Sequence, residues 1–561
     1  MKDQLRGAIL TALKAAQEAG DLPVLEEAAP EFAIEKPRSA EHGDLAVNLA
    51  MQLARPCRKK PRDIAEALVK HLGEAGGLVA KAEIAGPGFI NFYLKPSAWL
   101  AVLPEIMRQE AKFGQSDWGQ DRKMMVEFVS ANPTGPLHVG HGRGAVLGDA
   151  LASLLAYTGC QVAREYYIND AGNQMATLGR SVLHRAKELK GSHDPFPDNH
   201  YRGEYIKDLA QEYLATPQGE SALEQPADQA LDQAVNQAAA WAGDKILAGI
   251  KDDLAVFGVE MENYYSEQSL VDRGAVQASF DDLKKRDLLY ENEGALWFAS
   301  SQYGDEKDRV VKRGNGETTY FASDIAYHRE KFERGYNQLI DVWGADHHGY
   351  VPRLKAVIQA LGHDPDDLQV VLVQMVSLLR GGEPVAMSTR AGEFVTLREV
   401  VDEVGKDAAR FIFLTRRSDS PLDFDLEVAK QKSLDNPVYY VQYAHTRVMS
   451  ILRKAAEEGV ALPDPAKVNL ERLEMEDEVA LARRLGEYPE TVLGAAQALE
   501  PHRITYYLGD VAGRFHSYYN AQRVLVDDAE LAASRLVLIQ AVGQVLRNGL
   551  GLLGVSAPEA M

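Results

Sequence analysis

Residues 124–159 constrain the fold of this chain more than any other stretch. They begin with an apolar, β-branched run from Met124 to Val129, continue through a loop rich in Gly and Pro, and then become helix-periodic. The periodic part carries leucines at i, i+4, i+7 and i+8 and stops at Gly159. The order strand, loop, helix predicts the first half of a parallel crossover unit, and therefore an α/β fold.

The loop of this unit carries two histidines, His138 and His141, at the start of the predicted helix. Their spacing places both imidazoles on one side of the first turn. Gly140 and Gly142 leave room for a flat or phosphorylated ligand to approach the backbone, and the helix N-terminus favours an anion there. A pair of surface loop histidines is the alternative, but the surrounding strand, loop and capped helix favour a ligand site.

Length and composition describe a multidomain protein that we expect to be cytoplasmic and without membrane contact. The 561 residues are enough for three or four domains, and the 46% apolar and 25% charged fractions are ordinary for globular proteins. We identify neither a signal peptide nor an apolar run of about 20 residues. Two cysteines, Cys57 and Cys160, are too few for a zinc cluster. The net charge of −21 argues against general nucleic-acid binding, although one basic face could still hold RNA.

The stretch SANPTGPLHVGHGRGAVLGDALA resembles the HIGH signature of class I aminoacyl-tRNA synthetases, in the form found in arginyl-tRNA synthetases. The resemblance implies a Rossmann-like catalytic core in which His138 and His141 are catalytic. It also implies that Ser130 and Asn132 orient the α-amino and carboxyl groups of arginine beside His141. The ATP-binding residues implied in this stretch are His138, Val139, Gly140, His141 and Gly142.

Changes in composition and residue pattern along the chain predict three domains. We expect an N-terminal α+β domain at 1–115, a catalytic domain at 116–435 with a helical insertion at about 180–290, and an α-helical bundle at 436–561. The basic stretch 54–62 is either a solvent-exposed segment that leads into a helix or a patch that contacts phosphate groups. The resemblance implies that the first domain touches the tRNA body. The element YRGEYI at 201–206 has no assigned role, and we expect it to be scaffold.

Beyond the insertion, we expect the sheet to resume near 295–313, and a short strand carrying Tyr320 to lead into a helix capped by Ser323 or Asp324. As an N-cap, Asp324 would accept backbone N–H bonds. As a ligand group it would accept two parallel N–H bonds from a guanidinium. Tyr320 and Asp324 match a Y-x-x-x-D-I-A pattern of arginyl-tRNA synthetases, which implies that both contact the substrate side chain.

Two later loops carry further candidates. GADHHG presents Asp346 and His347, which the resemblance places beside the substrate arginine, and we reject a zinc site because no other ligand spacing accompanies them. The segment 368–378 is interpreted as one long buried strand. The following loop occupies the place of KMSKS, but Ala386 and Thr389 replace both lysines, and Arg380 and Arg390 are the nearest cations. The ATP-binding residues implied here are Met387, Ser388 and Arg390.

From about 436 the pattern is that of a helical bundle whose first helix begins at Pro437. Tyr440, Tyr443 and Arg447 lie at i, i+3 and i+7, which is either a core stripe or a surface for stacking RNA bases. The bundle resembles the anticodon-binding domain of arginyl-tRNA synthetases, which makes these three residues and the terminal Met561 candidate tRNA contacts.

The resemblance implies an ATP-dependent arginine–tRNA ligase. The enzyme would convert L-arginine and ATP to arginyl-adenylate and pyrophosphate, with Mg²⁺ accompanying ATP and no tightly bound protein metal. It would then transfer arginine to the terminal adenosine of tRNA(Arg), and we expect a monomer. One alternative is a catalytically silent tRNA-binding paralogue, favoured by the missing lysines. The other is a nucleotidyltransferase without a tRNA substrate, which would have no use for an anticodon bundle.

Overall fold

A computed structural model of the protein describes residues 1–25, 27–37, 39–73, 75–224, 229–385 and 394–561. The chain forms two compact units. One comprises Met1–Phe113, Arg447–Glu487 and Gly513–Val545, and the other comprises Gly114–Thr446, Tyr488–Ala512 and Leu546–Met561.

The first 113 residues form an α+β structure with a four-stranded antiparallel sheet in the order β1-β2-β4-β3. Apolar side chains of α1, α2 and α3 pack with the sheet in one core. The elements are α1 (Lys2–Glu18), β1 (Ile34–Glu35), β2 (Leu45–Val47), α2 (Leu49–Cys57), α3 (Pro61–Leu72), β3 (Val79–Ala85), β4 (Phe89–Leu94), α4 (Pro96–Leu100) and α5 (Val102–Gln109).

The next 320 or so residues contain a five-stranded parallel sheet and its helices. The elements are β5 (Lys123–Glu127), α6 (Val139–Tyr157), β6 (Gln161–Ile168), α7 (Asn173–Leu189), α8 (Glu204–Leu214), α9 (Pro217–Glu224), α10 (Gln229–Val256), β7 (Asn263–Ser266), α11 (Gln268–Asp272), α12 (Ala275–Lys285), β8 (Leu289–Asn292), β9 (Ala295–Phe298), β10 (Arg309–Lys312), α13 (Tyr320–Glu333), β11 (Gln338–Gly344), α14 (Val351–Ala360), β12 (Leu368–Val373), β13 (Val376–Arg380), β14 (Glu383–Pro384), α15 (Leu397–Val404), α16 (Lys406–Phe413), β15 (Leu422–Asp425) and α17 (Leu426–Lys430).

The parallel sheet has the strand order β12-β11-β5-β6-β7. β5 pairs with β6 in parallel, so β5, α6 and β6 form the predicted crossover unit. β11, α14 and β12 repeat the plan on the other side of β5. The carboxyl ends of all five strands therefore meet at one edge, where open α/β sheets bind their ligands.

Two sequence predictions about the sheet are wrong. The segment 180–290 was interpreted as an insertion outside the sheet, yet it contains β7, which pairs with β6 as the edge strand. The sheet does not resume at 295–313 either, because β8, β9 and β10 form a separate three-stranded antiparallel sheet. Short strands with similar composition cannot be assigned to one sheet or another from local pattern alone.

The predicted single strand at 368–378 is also wrong. It is interrupted at Gln374 and Met375, so that β12 pairs with β11 while β13 pairs with β14 and β15 in another sheet. The backbone at Gln374 turns aside because its N–H donates to the Ser418 carbonyl (2.8 Å) and its carbonyl accepts from Arg143 (2.8 Å). The apolar sequence at 368–378 gives no sign of either partner, because Ser418 and Arg143 lie far away in the chain.

The rest of the chain is helical, as predicted for a bundle. Its helices are α18 (Pro437–Glu457), α19 (Glu476–Gly486), α20 (Tyr488–Ala498), α21 (His502–Ala521) and α22 (Ala529–Leu552). α18 begins at the predicted Pro437, and the Asn436 side chain accepts from the Val438 N–H (3.2 Å). Among the described residues, α22 alone is long and apolar enough to cross a membrane. However, 67% of its most apolar 18-residue stretch is buried inside the protein, as in a core helix.

Candidate active site

A cavity of about 1200 Å³ lies where β5, β6 and β11 end. The sequence predicted one site from several separate stretches, and this cavity brings three of them together. The predicted residues that line it are Ser130, Asn132, His138, Gly140, His141, Tyr320, Asp324, Asp346 and His347.

The loop after β5 carries unusual backbone conformations. Val129 has φ +69° and Ser130 has φ +40°, a region that a β-branched residue such as valine rarely adopts. The Ser130 hydroxyl donates to Glu127 (3.0 Å) and accepts from the backbone N–H of Tyr167 (3.1 Å). Strain of this kind persists where surrounding contacts enforce it, and it gathers at functional sites.

The two histidines stack at the start of α6, with their ring centroids 3.7 Å apart. His138 Nδ1 accepts from the Gly140 N–H (3.1 Å), and His141 Nδ1 accepts from the His138 N–H (3.3 Å). Because both Nδ1 atoms accept, the ring proton of each neutral imidazole is on Nε2. Burial lowers the pKa of His138 and, together with the adjacent His138, lowers the pKa of His141 to about 3. Both rings are therefore neutral N–H donors at pH 7.

Asp324 lies one turn into α13, not at its start. The helix begins at Tyr320 with Thr319 at the N-cap position, so the predicted strand at Tyr320 and the N-cap interpretation of Ser323 or Asp324 are both wrong. The Asp324 carboxylate accepts from the Tyr350 hydroxyl, and burial raises the pKa of this carboxyl. Tyr320, which is 52% exposed, lines the same cavity.

Glu267 is a cavity-lining carboxylate that the sequence reasoning missed. Its side chain is 4% exposed, and its Oε2 is buried without a hydrogen-bond partner among the described residues. Burial, with a contribution from the nearby carboxylates of Asp324 and Asp170, raises the pKa of Glu267 to about 7 despite hydrogen bonds that lower it. A buried carboxylate with one oxygen unsatisfied among the described residues, beside a second carboxylate, is a site for a cation.

Two more lining residues, Asn169 and Gln174, each have a buried amide oxygen without a partner among the described residues. Asn169 directly follows β6, and the rule that ligands bind beyond the carboxyl ends of strands could have identified it. Glu267 follows β7 in the same way, but β7 was not predicted as a strand because 180–290 was interpreted as a helical insertion.

A buried charge cluster lies beneath the cavity. The Lys331 ammonium group donates to Glu127 (2.6 Å) and Asp341 (2.9 Å), and Asp341 also bonds to His328 (3.0 Å). Lys331 is fully buried, yet the two carboxylates raise its pKa above that of an exposed lysine. Lys331 therefore stays charged and fixes Glu127, which in turn holds Ser130.

Some predicted ATP-binding residues do not line the cavity. The Val139 side chain is 2% exposed, and Gly142 packs against Leu397, whose Cδ1 would lie 2.6 Å from a Cβ at this position. Met387, Ser388 and Arg390 lie outside the described residues, as do Ala386 and Thr389. Arg380 forms ion pairs with Glu403 (2.5 Å) and Glu427 (3.1 Å), so its charge is already balanced.

The candidate tRNA residues of the bundle are partly buried or exposed. Tyr443 stacks on Tyr439 with ring centroids 5.7 Å apart, and Tyr440 lies on the same helix. The Arg447 guanidinium lies 4.5 Å from the Tyr519 ring centroid, and Met561 is 55% exposed. Among the described residues, no group of three or more His, Cys, Asp or Glu side chains could hold a metal ion.

Comparison with known families decides the assignment. The family model described as "tRNA synthetases class I (R), catalytic domain" matches residues 102–425, more than half of the chain. The models "Arginyl tRNA synthetase N terminal domain" and "DALR anticodon binding domain" match residues 3–94 and 441–561. The chain belongs to the arginyl-tRNA synthetase family. The synthetase is 57% identical to the arginine–tRNA ligase of Syntrophotalea carbinolica over 561 residues, covering 100% of both chains.

Other relatives agree with this assignment. The synthetase is 56% identical to the arginine–tRNA ligase of Desulfosudis oleivorans over 566 residues, again covering 100% of both chains. Its fold is similar to that of Thermus thermophilus arginyl-tRNA synthetase, with a TM-score of 0.73 and 25% identity over 99% of this chain and 100% of that chain.

The enzyme is therefore an ATP-dependent arginine–tRNA ligase, and the predictions of family, fold class and activity are confirmed. Nothing in these similarities favours the catalytically silent paralogue. The match to an anticodon-binding domain at 441–561 also argues against a nucleotidyltransferase without a tRNA substrate.

Proposed function

We propose that the cavity binds the guanidinium group of L-arginine between Asp324 and Glu267. The buried Oε2 of Glu267 carries this proposal, because it has no hydrogen-bond partner among the described residues and a planar cation with five N–H donors supplies one. The carboxylates that line the cavity support it: Lys331 pairs with Glu127 and Asp341 from beneath, but the described lining contains no lysine or arginine to neutralise the other three. A guanidinium that enters there lowers the pKa of both carboxyls and leaves them ionised.

The other end of the amino acid faces the loop after β5. We assign the α-amino and carboxyl groups to Ser130 and Asn132, with His141 alongside. Tyr320, Asp346 and His347 complete the proposed arginine-binding set at the rim. The strained backbone at Ser130 supports a loop held in one conformation before the substrate arrives.

We place ATP at the N-terminus of α6, with His138 and His141 as catalytic residues. Their Nε2–H groups donate to the α-phosphate while the arginine carboxylate oxygen attacks its phosphorus and pyrophosphate leaves. Gly140 lets the ATP approach the backbone, whereas Val139 and Gly142 do not line the cavity and pack the first helical turn. Further contacts are proposed from Met387, Ser388 and Arg390. A hydroxyl of the tRNA's terminal ribose then attacks the adenylate carbonyl, and AMP leaves.

Mg²⁺ is proposed to accompany ATP. The cavity fits it in donor type, because the exposed carboxylate of Asp346 is the hard oxygen ligand that this ion accepts beside phosphate oxygens. When bound, Mg²⁺ would neutralise phosphate charge. That contribution matters here because the described lining has no lysine or arginine.

The proposed partner for the rest of the chain is tRNA(Arg). We assign its anticodon to the bundle at 436–561 through Tyr440, Tyr443, Arg447 and Met561, and its body to residues 1–115, with the catalytic domain at 116–435 between these two ranges in the sequence. The three family matches support this division. We expect a monomeric, cytoplasmic enzyme that activates arginine only when tRNA is bound.

The variant Asp324→Asn tests the guanidinium site. In arginine-dependent ATP–pyrophosphate exchange with tRNA(Arg) present, its KM for arginine should rise by about 30-fold or more, because a buried carboxylate is lost from a charge pair. Its KM for ATP should stay within about twofold of wild type. Glu333→Gln, at an exposed position on the same helix, is the matched control. Equal increases in both KM values would contradict the assignment of Asp324 to arginine.

A further inference from the structure

The element YRGEYI at 201–206 is not explained by the proposed function. It begins in the loop before α8 and enters the first turn of that helix, far from α6 in sequence. The Tyr205 hydroxyl nevertheless donates to the backbone carbonyl of Thr134 (2.8 Å), in the loop that joins β5 to α6. A Cβ at Gly135 would lie 3.1 Å from the same hydroxyl, so the Tyr205 ring covers this loop closely.

The rest of the element places Tyr205 at that position. A Cβ at Gly203 would lie 2.5 Å from the Tyr205 ring, so only glycine leaves room for the ring where it stands. The Tyr201 N–H donates to the Ser181 hydroxyl (3.0 Å), which ties the start of the element to α7. Ile206 is fully buried and fixes the first turn of α8. Tyr205 thus approaches the loop from a defined direction.

The loop is held at two points, one on each side of Asn132. On one side the Tyr166 hydroxyl donates to the Ala131 carbonyl (2.7 Å). On the other side Tyr205 donates to Thr134, whose own N–H donates to the Asn132 carbonyl (2.7 Å). Asn132 itself lines the cavity between these two anchored carbonyls.

We infer that Tyr205 is a positioning residue for amino-acid binding: its hydroxyl holds the loop so that Asn132 meets the α-amino and carboxyl groups of arginine. The inference rests on the proposed function, which gives Asn132 that role. It assigns YRGEYI to substrate binding and not only to scaffold. It also ties the helical segment between β6 and β7 to the shape of the amino-acid site.

The test is Tyr205→Phe, which removes one hydroxyl and keeps the ring. The matched control is Tyr213→Phe on the same helix, because the Tyr213 hydroxyl is buried without a partner among the described residues. Binding to the full-length enzyme is measured by titration calorimetry with L-arginine and with n-butylguanidine, which has the guanidinium but neither α group.

Tyr205→Phe should weaken L-arginine binding by between about twofold and about tenfold, the range for one lost hydrogen bond. It should leave n-butylguanidine binding unchanged, and Tyr213→Phe should change neither. In pyrophosphate exchange, Tyr205→Phe should raise the KM for arginine by the same factor and leave kcat nearly unchanged. Equal weakening of both ligands would mean that Tyr205 only supports the fold, and no change in either would also overturn the inference.

Failure of the proposed function gives a different result. If the wild-type enzyme binds n-butylguanidine as tightly as L-arginine, the role of Asn132 is wrong and the inference fails with it. If the wild type prefers L-arginine and Tyr205→Phe keeps the whole preference, the inference alone is wrong.

Discussion

Replacing Glu267 with glutamine should stabilise the ligand-free enzyme at pH 8 and weaken its binding of arginine. The wild-type carboxyl is almost fully buried, and its burial raises its pKa from 4.5 to about 7. A carboxyl whose pKa is higher in the folded than in the unfolded state binds its proton more tightly when folded. The free energy of unfolding therefore falls as pH rises from about 4.5 to 7.

The size of this effect follows from the two pKa values. Their difference corresponds to about 3 kcal/mol of stability lost once the group is ionised, a large share of what a typical domain has. Glutamine cannot ionise and keeps nearly the same shape. Glu267→Gln should therefore unfold at a midpoint several degrees higher than wild type at pH 8, and the difference should disappear near pH 5.

Bound arginine should reverse the order of the unfolding midpoints of wild type and Glu267→Gln at pH 8. The ionised Glu267 is the form that pairs with a guanidinium, so wild-type affinity for arginine should increase about tenfold between pH 6 and pH 8. Saturating arginine should raise the wild-type unfolding midpoint at pH 8 and have little effect on the variant. His138 and His141 do not supply this pH dependence, because burial lowers the pKa of each.

The measurements are thermal unfolding at pH 5, 6, 7 and 8, with and without arginine, and calorimetric titration of arginine over the same range. Glu260→Gln, at an exposed position, is the control and should match wild type throughout. If wild type and Glu267→Gln lose stability in parallel as pH rises, Glu267 does not ionise in this range and the reasoning is refuted.

Three further predictions follow from the same geometry. Lys331→Met leaves the buried carboxylates of Glu127 and Asp341 without their cation, so it should destabilise the protein by about 3–5 kcal/mol in chemical unfolding, whereas Lys355→Met, at a partly exposed pair, should cost about 1 kcal/mol or less. His138→Asn should lower kcat for pyrophosphate exchange by about 100-fold or more with a small change in the KM for arginine; a change confined to KM would argue against a role in the transition state. Exchange should stop when EDTA removes Mg²⁺ and return when Mg²⁺ is added, and activity that survives chelation would contradict the proposed role of the ion.

The sequence predicted the parts of the site that neighbouring residues determine. The strand, loop and helix around His138 and His141 follow from an apolar run, a Gly/Pro loop and a helical period within about 35 residues. Asp324 could be placed at the sheet edge in the same way, although the start of its helix could not. The helix begins after Thr319, whose side chain forms no capping hydrogen bond, so no local cap marks its start.

The parts that sequence reasoning missed depend on contacts between distant segments. Glu267 enters the cavity because β7 pairs with β6, and these strands are separated by about 95 residues of mostly helical chain. Arg380 was identified as a nearby cation, but Glu403 and Glu427 hold it, and nothing local reveals these partners. The break between β12 and β13 has the same origin, since Arg143 and Ser418 create it from elsewhere in the chain.

The most direct test of the account compares L-arginine with L-citrulline in ATP–pyrophosphate exchange, with and without tRNA(Arg). Citrulline has nearly the same shape, but a neutral urea group replaces the guanidinium, so it cannot pair as a cation with Asp324 and Glu267. We expect exchange with arginine only when tRNA is present, and no detectable exchange with citrulline at any concentration tested. Comparable exchange with citrulline would contradict the claim that two buried carboxylates select the substrate by its charge.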